Sequence, residues 1–271
     1  MPTKQIPTGV RPTAADLTSD SYDLPSETPA ERTLVVCAAP KSGSEELLRL
    51  LLAAGVGIPH EYFDAAIARE VAGRWELPGD PLEPKYGEFY LQMLKLQRGR
   101  NGVFAAGLRY PQYTEHLRNR LGARLFHGAV VIHLFCTDIV EQVTAWRAAT
   151  HTGMWDLSGA RTSEPRPYAD SAQENVALFD LDLDAVIGDD TGFRKLFAFA
   201  GIKPVFLTTD QLMAMPREIT CDLARLMGVE PDVAALDAAI ALNAPGPIDE
   251  NERRKAYDDL SADLKRRAFR L

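Results

Sequence analysis

Apolar positions along this chain fall into short unbroken runs separated by longer stretches with helical spacing. Four runs read as buried strands: Leu34-Val35-Val36-Cys37, Gly102 to Leu108, Ala129 to Phe135 and Pro204 to Thr208. From Glu45 onward, Leu47, Leu48, Leu50, Leu51 and Leu52 supply the apolar face of a helix. Helices are also expected over 64–76, Phe89 to Gln97, Tyr113 to Leu121, Asp138 to about Ala149, and Ile219 to Met227. Ala172 to Ala200 reads as one or two helices with a break near Gly188, Asp210 starts a short helix, and the tail from Asn251 reads as a charged one. Segments 77–88 and 156–170 carry Pro and Gly and read as loops, the second as a mobile lid.

Strands that alternate with helices predict an α/β fold, a mainly parallel sheet flanked by helices and joined by right-handed crossovers. Residues 31–271 then form a single domain. Residues 1–30, rich in Pro, Thr, Ser and Asp, read as an N-terminal arm or flexible tail, ordered only if something holds it.

Composition narrows the function classes. The chain has 271 residues, 46% apolar and 25% charged, with a net charge of −8. That charge argues against nonspecific nucleic-acid binding, yet it leaves room for an anionic ligand, because local dipoles and a few cations decide that. Cys37, Cys136 and Cys221 are far apart and odd in number, so neither a disulfide framework nor a clustered metal site is expected, and a cytoplasmic setting is the default. No apolar run reaches the roughly 18–20 residues a membrane span requires. The five histidines show no ligand spacing, and His133 inside its apolar run reads as a buried, hydrogen-bonded residue. Trp146, Trp155 and Tyr110 suit either core packing or stacking on a sugar or adenine.

The stretch Thr33 to Leu52 carries the candidate chemistry. A strand, the turn Pro40-Lys41-Ser42-Gly43-Ser44 and a helix would aim backbone N–H groups and a helix dipole at one spot, suited to phosphate or sulfate. Lys41 adds a cation, and the hydroxyls of Ser42 and Ser44 add donors. Gly43 is followed by Ser44 rather than by Gly-Lys-Ser/Thr, so this is not a Walker A loop. On the pentapeptide alone, an anion site and a polar turn without a ligand both stand.

The loop resembles the 5′-phosphosulfate-binding loop of sulfotransferases, and three further segments extend that likeness: Pro59-His60-Glu61-Tyr62-Phe63, Leu108-Arg109-Tyr110-Pro111-Gln112, and Val131 to Trp155. Together they resemble the Stf0-type (trehalose 2-sulfotransferase-like) bacterial sulfotransferases over most of residues 33–271. The resemblance implies a P-loop-like sulfotransferase fold, with 3′-phosphoadenosine-5′-phosphosulfate as sulfate donor and a hydroxyl of a carbohydrate or small metabolite as acceptor. It also implies that Pro40, Lys41, Ser42, Gly43 and Ser44 cradle the donor, with Lys41 assisting transfer. Glu61 is the implied base, with Tyr62, His151 and Trp155 toward the acceptor, and a homodimer is an arrangement such proteins often adopt. No metal, nucleic acid or membrane partner is implied.

This chain departs from the family pattern at several positions. Glu45 follows the loop where Thr is usual. The Arg and Ser that grip the donor's 3′-phosphate fall on Cys136 and Ala145, leaving Thr144, Arg147 and Thr137 as nearby substitutes, and a lysine of the second strand falls on Gly107, leaving Arg109. Two readings therefore remain: an active sulfotransferase, or an inactive binding or scaffold protein of the same fold with a decayed nucleotide site.

Overall fold

The computed structural model describes residues 14–153 and 172–242. Trp155, the segment 156–170 and the tail from Asn251 lie outside the described residues. In chain order the elements are α1 (Ala14–Thr18), a short 3-10 helix (Asp20–Tyr22), β1 (Arg32–Ala38), α2 (Ser44–Ala53), α3 (Ala65–Arg74), α4 (Pro84–Gln97) and β2 (Val103–Leu108). They continue with α5 (Tyr110–Gln112), a π-helical turn (Tyr113–Leu117), α6 (Arg120–Phe126), β3 (Val130–Phe135), α7 (Ile139–Thr152), α8 (Ala172–Ala200), β4 (Val205–Thr208), α9 (Thr209–Ala214), α10 (Pro216–Leu226) and α11 (Val233–Ala241).

The four strands form one parallel sheet in the order β2-β1-β3-β4. This is the α/β architecture expected from the alternating pattern. β1 is central and apolar on both faces because helices cover both. Leu34, Val36 and Ala38 pack with Leu47, Leu50 and Leu51 of α2 and with Leu212 and Ala224. Val35 and Cys37 point the other way, into a second core with Tyr62, Tyr90, Phe104 and Phe193. All four strand ends lie at one edge, where the loops beginning at Ala39, Arg109 and Cys136 and the start of α9 at Thr209 follow the strands. Ligands of open parallel sheets collect at that edge.

Several element boundaries differ from the sequence reading, each for a local reason. α4 starts at Pro84, within the expected loop, because Pro suits the first helical position, where its missing N–H is not needed. The helix expected over Tyr113 to Leu121 instead splits into a π-helical turn and α6, since the Asn119 side chain accepts from the Leu121 amide and begins a new helix there. α8 runs unbroken through Gly188: a side chain at that position would meet nothing, so the helix passes without distortion. α11, capped by Asp232, was not singled out in the sequence.

Residues 14–30 lie on the domain, held by Arg98. The Arg98 guanidinium is fully buried, donates to the carbonyls of Leu17, Thr18 and Ser19, and pairs with Asp23 at 2.9 Å. The rings of Tyr62 and Trp75 flank it. Arg98→Ala would leave three carbonyls unpaired and remove one partner of Asp23, which keeps Arg74 and Trp75, a loss of about 3–5 kcal/mol. The expected result is a melting temperature lower by on the order of 10 °C, with early proteolytic cleavage before Ala30. An unchanged melting temperature would contradict this account of the latch. Among the described residues no helix is long and apolar enough to cross a membrane.

Candidate active site

The turn after β1 is built to expose backbone donors. Lys41 (φ 58°) and Gly43 (φ 87°) both adopt left-handed backbone conformations. For a lysine this costs roughly 1 kcal/mol or more, and such strain gathers at functional turns. Gly43 caps α2 and has no side chain of its own to bond the first-turn amides. Surrounding elements fix the loop. Ser42 is wholly buried with its hydroxyl donating to Ala39 O at 2.8 Å, so it braces the turn from inside. Gln142 Nε2 donates to Pro40 O at 2.6 Å, and Thr209 Oγ1 donates to Ser42 O at 2.7 Å.

The two acidic residues after the loop diverge. Glu46 is buried and paired with Arg49 at 2.6 Å, away from the turn. Glu45 is exposed and acts on Arg109 through its field.

Arg109 and Glu61 lie at the adjoining strand end. Arg109 Nε is 3.2 Å from Glu61 Oε1 and 3.1 Å from Oε2, and Gln112 Nε2 donates to Oε2 at 3.2 Å. Burial opposes the Arg109 charge, yet Glu61, then Glu45 and Asp64, hold its pKa above the ordinary arginine value. Glu61 is placed by strand geometry. The His60 carbonyl accepts from the Gly107 amide at 3.0 Å, so Glu61 faces the strand end while Tyr62 turns inward. At Gly107 a Cβ would lie 2.8 Å from Leu48 Cδ1 and 3.3 Å from Glu61 Cγ, so a longer residue there would require those side chains to shift. Arg109, two residues along, reaches the same carboxylate.

One carboxylate escaped sequence reasoning. Asp189 of α8 is half-buried and within the electrostatic reach of Arg109; burial pushes its pKa up to about 6, against the pull of that guanidinium. Helix α8 comes this close because Gly192 admits the Tyr110 ring, which a Cβ would meet at 2.3 Å. Nothing in the string Gly188-Asp189-Asp190 marks one acid as facing an arginine from a distant strand end. Its folded pKa is raised, so stability falls as pH climbs from about 4 to about 6. A shift of that size corresponds to at most ~3 kcal/mol, reduced to about 1–2 kcal/mol by partial exposure. Asp189→Asn should therefore raise the melting temperature by a few degrees at pH 7.5 and not at pH 4.5. Equal shifts at both would contradict the assignment.

Other expected site residues fall elsewhere. Tyr62 is fully buried, its hydroxyl donating to Ile58 O at 2.5 Å, so it belongs to the core and corrects the expectation of substrate contact. Thr144 donates to Val140 O at 2.8 Å within its own helix. The Cys136 thiol donates to Asp138 O at 3.3 Å. His151 lies half-buried in the last turn of α7. His133 is buried, as expected, with Nε2 3.1 Å from Asp190 Oδ1.

Between β3, α7 and α8 a cavity of about 350 Å³ opens beside the loop, bordered by Ala39, Cys136, Gln142, Ile187 and Arg194. Its walls are mainly apolar, and it reaches the loop through Ala39 and through Gln142, which donates to Pro40 O. The arrangement suits a ligand with an anionic end at the loop and a less polar body in the cavity. Among the described residues, no group of three or more His, Cys, Asp or Glu forms a metal-binding cluster.

No curated protein matches the chain. Residues 33–250 match the model of the family described as Stf0 sulphotransferase. That span begins at β1 and includes the loop, Glu61, Arg109 and every strand of the sheet, so fold and match coincide over most of the chain. With its parallel sheet flanked by helices and a match over most of its length, this chain belongs to the Stf0 sulphotransferase family.

Proposed function

We propose that this protein transfers sulfate from 3′-phosphoadenosine-5′-phosphosulfate to a hydroxyl of a carbohydrate or small metabolite. The observation that carries the reading is the uncapped N-terminus of α2 behind the left-handed Lys41, set at the same sheet edge as the Glu61–Arg109 pair. The donor supplies an activated sulfuryl group. The amides of residues 42–44 and the Lys41 ammonium hold its anionic end and stabilise charge that builds on the bridging oxygen as the S–O bond breaks. Glu61 receives the acceptor hydroxyl proton as the acceptor oxygen bonds to sulfur, and adenosine 3′,5′-bisphosphate leaves. Arg109 and Gln112 fix the Glu61 carboxylate, and its remaining lone pairs stay open to that hydroxyl.

A second reading, an inactive protein with a decayed nucleotide site, draws support from Cys136 and Thr144. Both spend their donors on backbone carbonyls. Incubation of the purified chain with the phosphosulfate donor and a panel of sugars and hydroxylated metabolites separates the two. The enzyme reading expects acceptor-dependent release of adenosine 3′,5′-bisphosphate. A donor that is neither bound nor consumed supports the second reading.

A further inference from the structure

The loop after β1 is gripped by its carbonyls from two elements distant in sequence. Gln142, buried on α7, donates from Nε2 to Pro40 O at 2.6 Å. Thr209, the first residue of α9, donates from Oγ1 to Ser42 O at 2.7 Å, with Phe135 O farther off at 3.3 Å. A hydroxyl has one proton, and the shorter contact takes it. The Thr209 methyl stands over the next residue, 3.5 Å from where a Cβ on Gly43 would lie.

These two bonds decide which way the neighbouring amides point. A trans peptide is planar, with its C=O and N–H directed oppositely, and no peptide bond among the described residues is cis. Pro40 O shares a peptide with the Lys41 N–H, and Ser42 O shares one with the Gly43 N–H. With both carbonyls held toward α7 and α9, both amides are turned the other way. The left-handed backbone follows the same alternation, since Lys41 and Gly43 each come directly after a gripped carbonyl. The Ala39 carbonyl is likewise held, by the Ser42 hydroxyl, but its peptide ends in Pro40, which has no amide to turn.

Without such restraint a peptide plane in a short turn can rotate as a unit, placing a carbonyl oxygen where an amide had been. The plane between Ser42 and Gly43 is the more prone to this, because glycine accepts the backbone angles of either orientation. An anion at the loop would then meet a negative dipole end instead of a donor.

We propose that Thr209 and Gln142 are positioning residues for the loop's anionic ligand, holding the Lys41 and Gly43 amides in the donating orientation by fixing the two carbonyls behind them. The assignment rests on the donor reading above and adds to it two side chains from outside the loop, neither of which touches the ligand.

Calorimetry of the full chain with adenosine 3′,5′-bisphosphate tests it. Thr209→Val keeps the shape and deletes the donor, and should weaken binding roughly tenfold, as expected for one charge-assisted amide contact. Gln142→Leu should weaken it by a similar factor. Thr209→Ser keeps the hydroxyl and gives up the methyl, so its affinity should stay within about threefold of wild type even as its melting temperature falls. The salt dependence of binding should persist in the two weakened variants, because Lys41 keeps its charge, whereas Lys41→Ala should flatten it. A merely structural role predicts instead that affinity follows melting temperature through all three variants, Thr209→Ser included. That result, or wild-type affinity in either Thr209→Val or Gln142→Leu, overturns the assignment while leaving the donor reading in place. No binding by wild type overturns both.

Discussion

Lys41→Ala is expected to weaken binding of adenosine 3′,5′-bisphosphate by roughly 10- to 150-fold, the worth of one charge-assisted phosphate contact of about 1.5–3 kcal/mol. The larger effect belongs to turnover, since the ammonium also meets charge that appears only as the S–O bond lengthens. The backbone at this position offers a control. Lys41 sits at φ 58°, a conformation glycine adopts without penalty. Lys41→Gly should therefore stabilise the fold by about 0.5–1 kcal/mol while losing ligand affinity as alanine does. A more stable yet ligand-blind protein would separate function from folding. Full affinity in both variants would remove Lys41 from the site.

Glu61→Gln is expected to lower kcat by about 10²–10⁴-fold, the usual contribution of a positioned proton acceptor. Donor affinity should stay within about threefold, because the carboxylate contacts Arg109 and Gln112 rather than the loop. Glutamine keeps the shape but leaves Arg109 without its ion-pair partner, so some thermal stability should be lost as well. Measuring KM and kcat separately distinguishes the cases. A fall in kcat alone fits a base, whereas a matching loss of donor affinity points to a collapsed site. If Glu61→Gln turns over normally, Asp189 is the next carboxylate to replace, since it faces the same arginine from α8.

The sheet was legible because its signals are local. Runs such as Leu34 to Cys37 and Ala129 to Phe135 are short, apolar and bounded by turns, so each strand of the sheet could be placed within a few residues. The loop was legible for the same reason, lying in one pentapeptide between a strand and a helix. The pairing of Glu61 with Arg109 spans 48 positions and depends on the His60 bridge to β2, which no local pattern encodes. The resemblance placed each residue in the site but did not show them joined. Tyr62 illustrates the limit: beside Glu61 in sequence, it lies in the turn that the Asp64 amide closes on Glu61 O, and its side chain enters the core. Asp189 and Arg194 were invisible because an unbroken α8 brings them to the strand ends from far along the chain. The break expected at Gly188 would have given them no common frame.

Everything proposed for this chain requires that the start of α2 still holds an anionic nucleotide beside the exposed Glu45. Calorimetric titration of the purified protein with adenosine 3′,5′-bisphosphate, at low and at physiological salt, tests that most directly. The account predicts saturable binding that weakens as salt rises and weakens roughly 10- to 150-fold in Lys41→Ala. No heat and no thermal shift at millimolar ligand would contradict it.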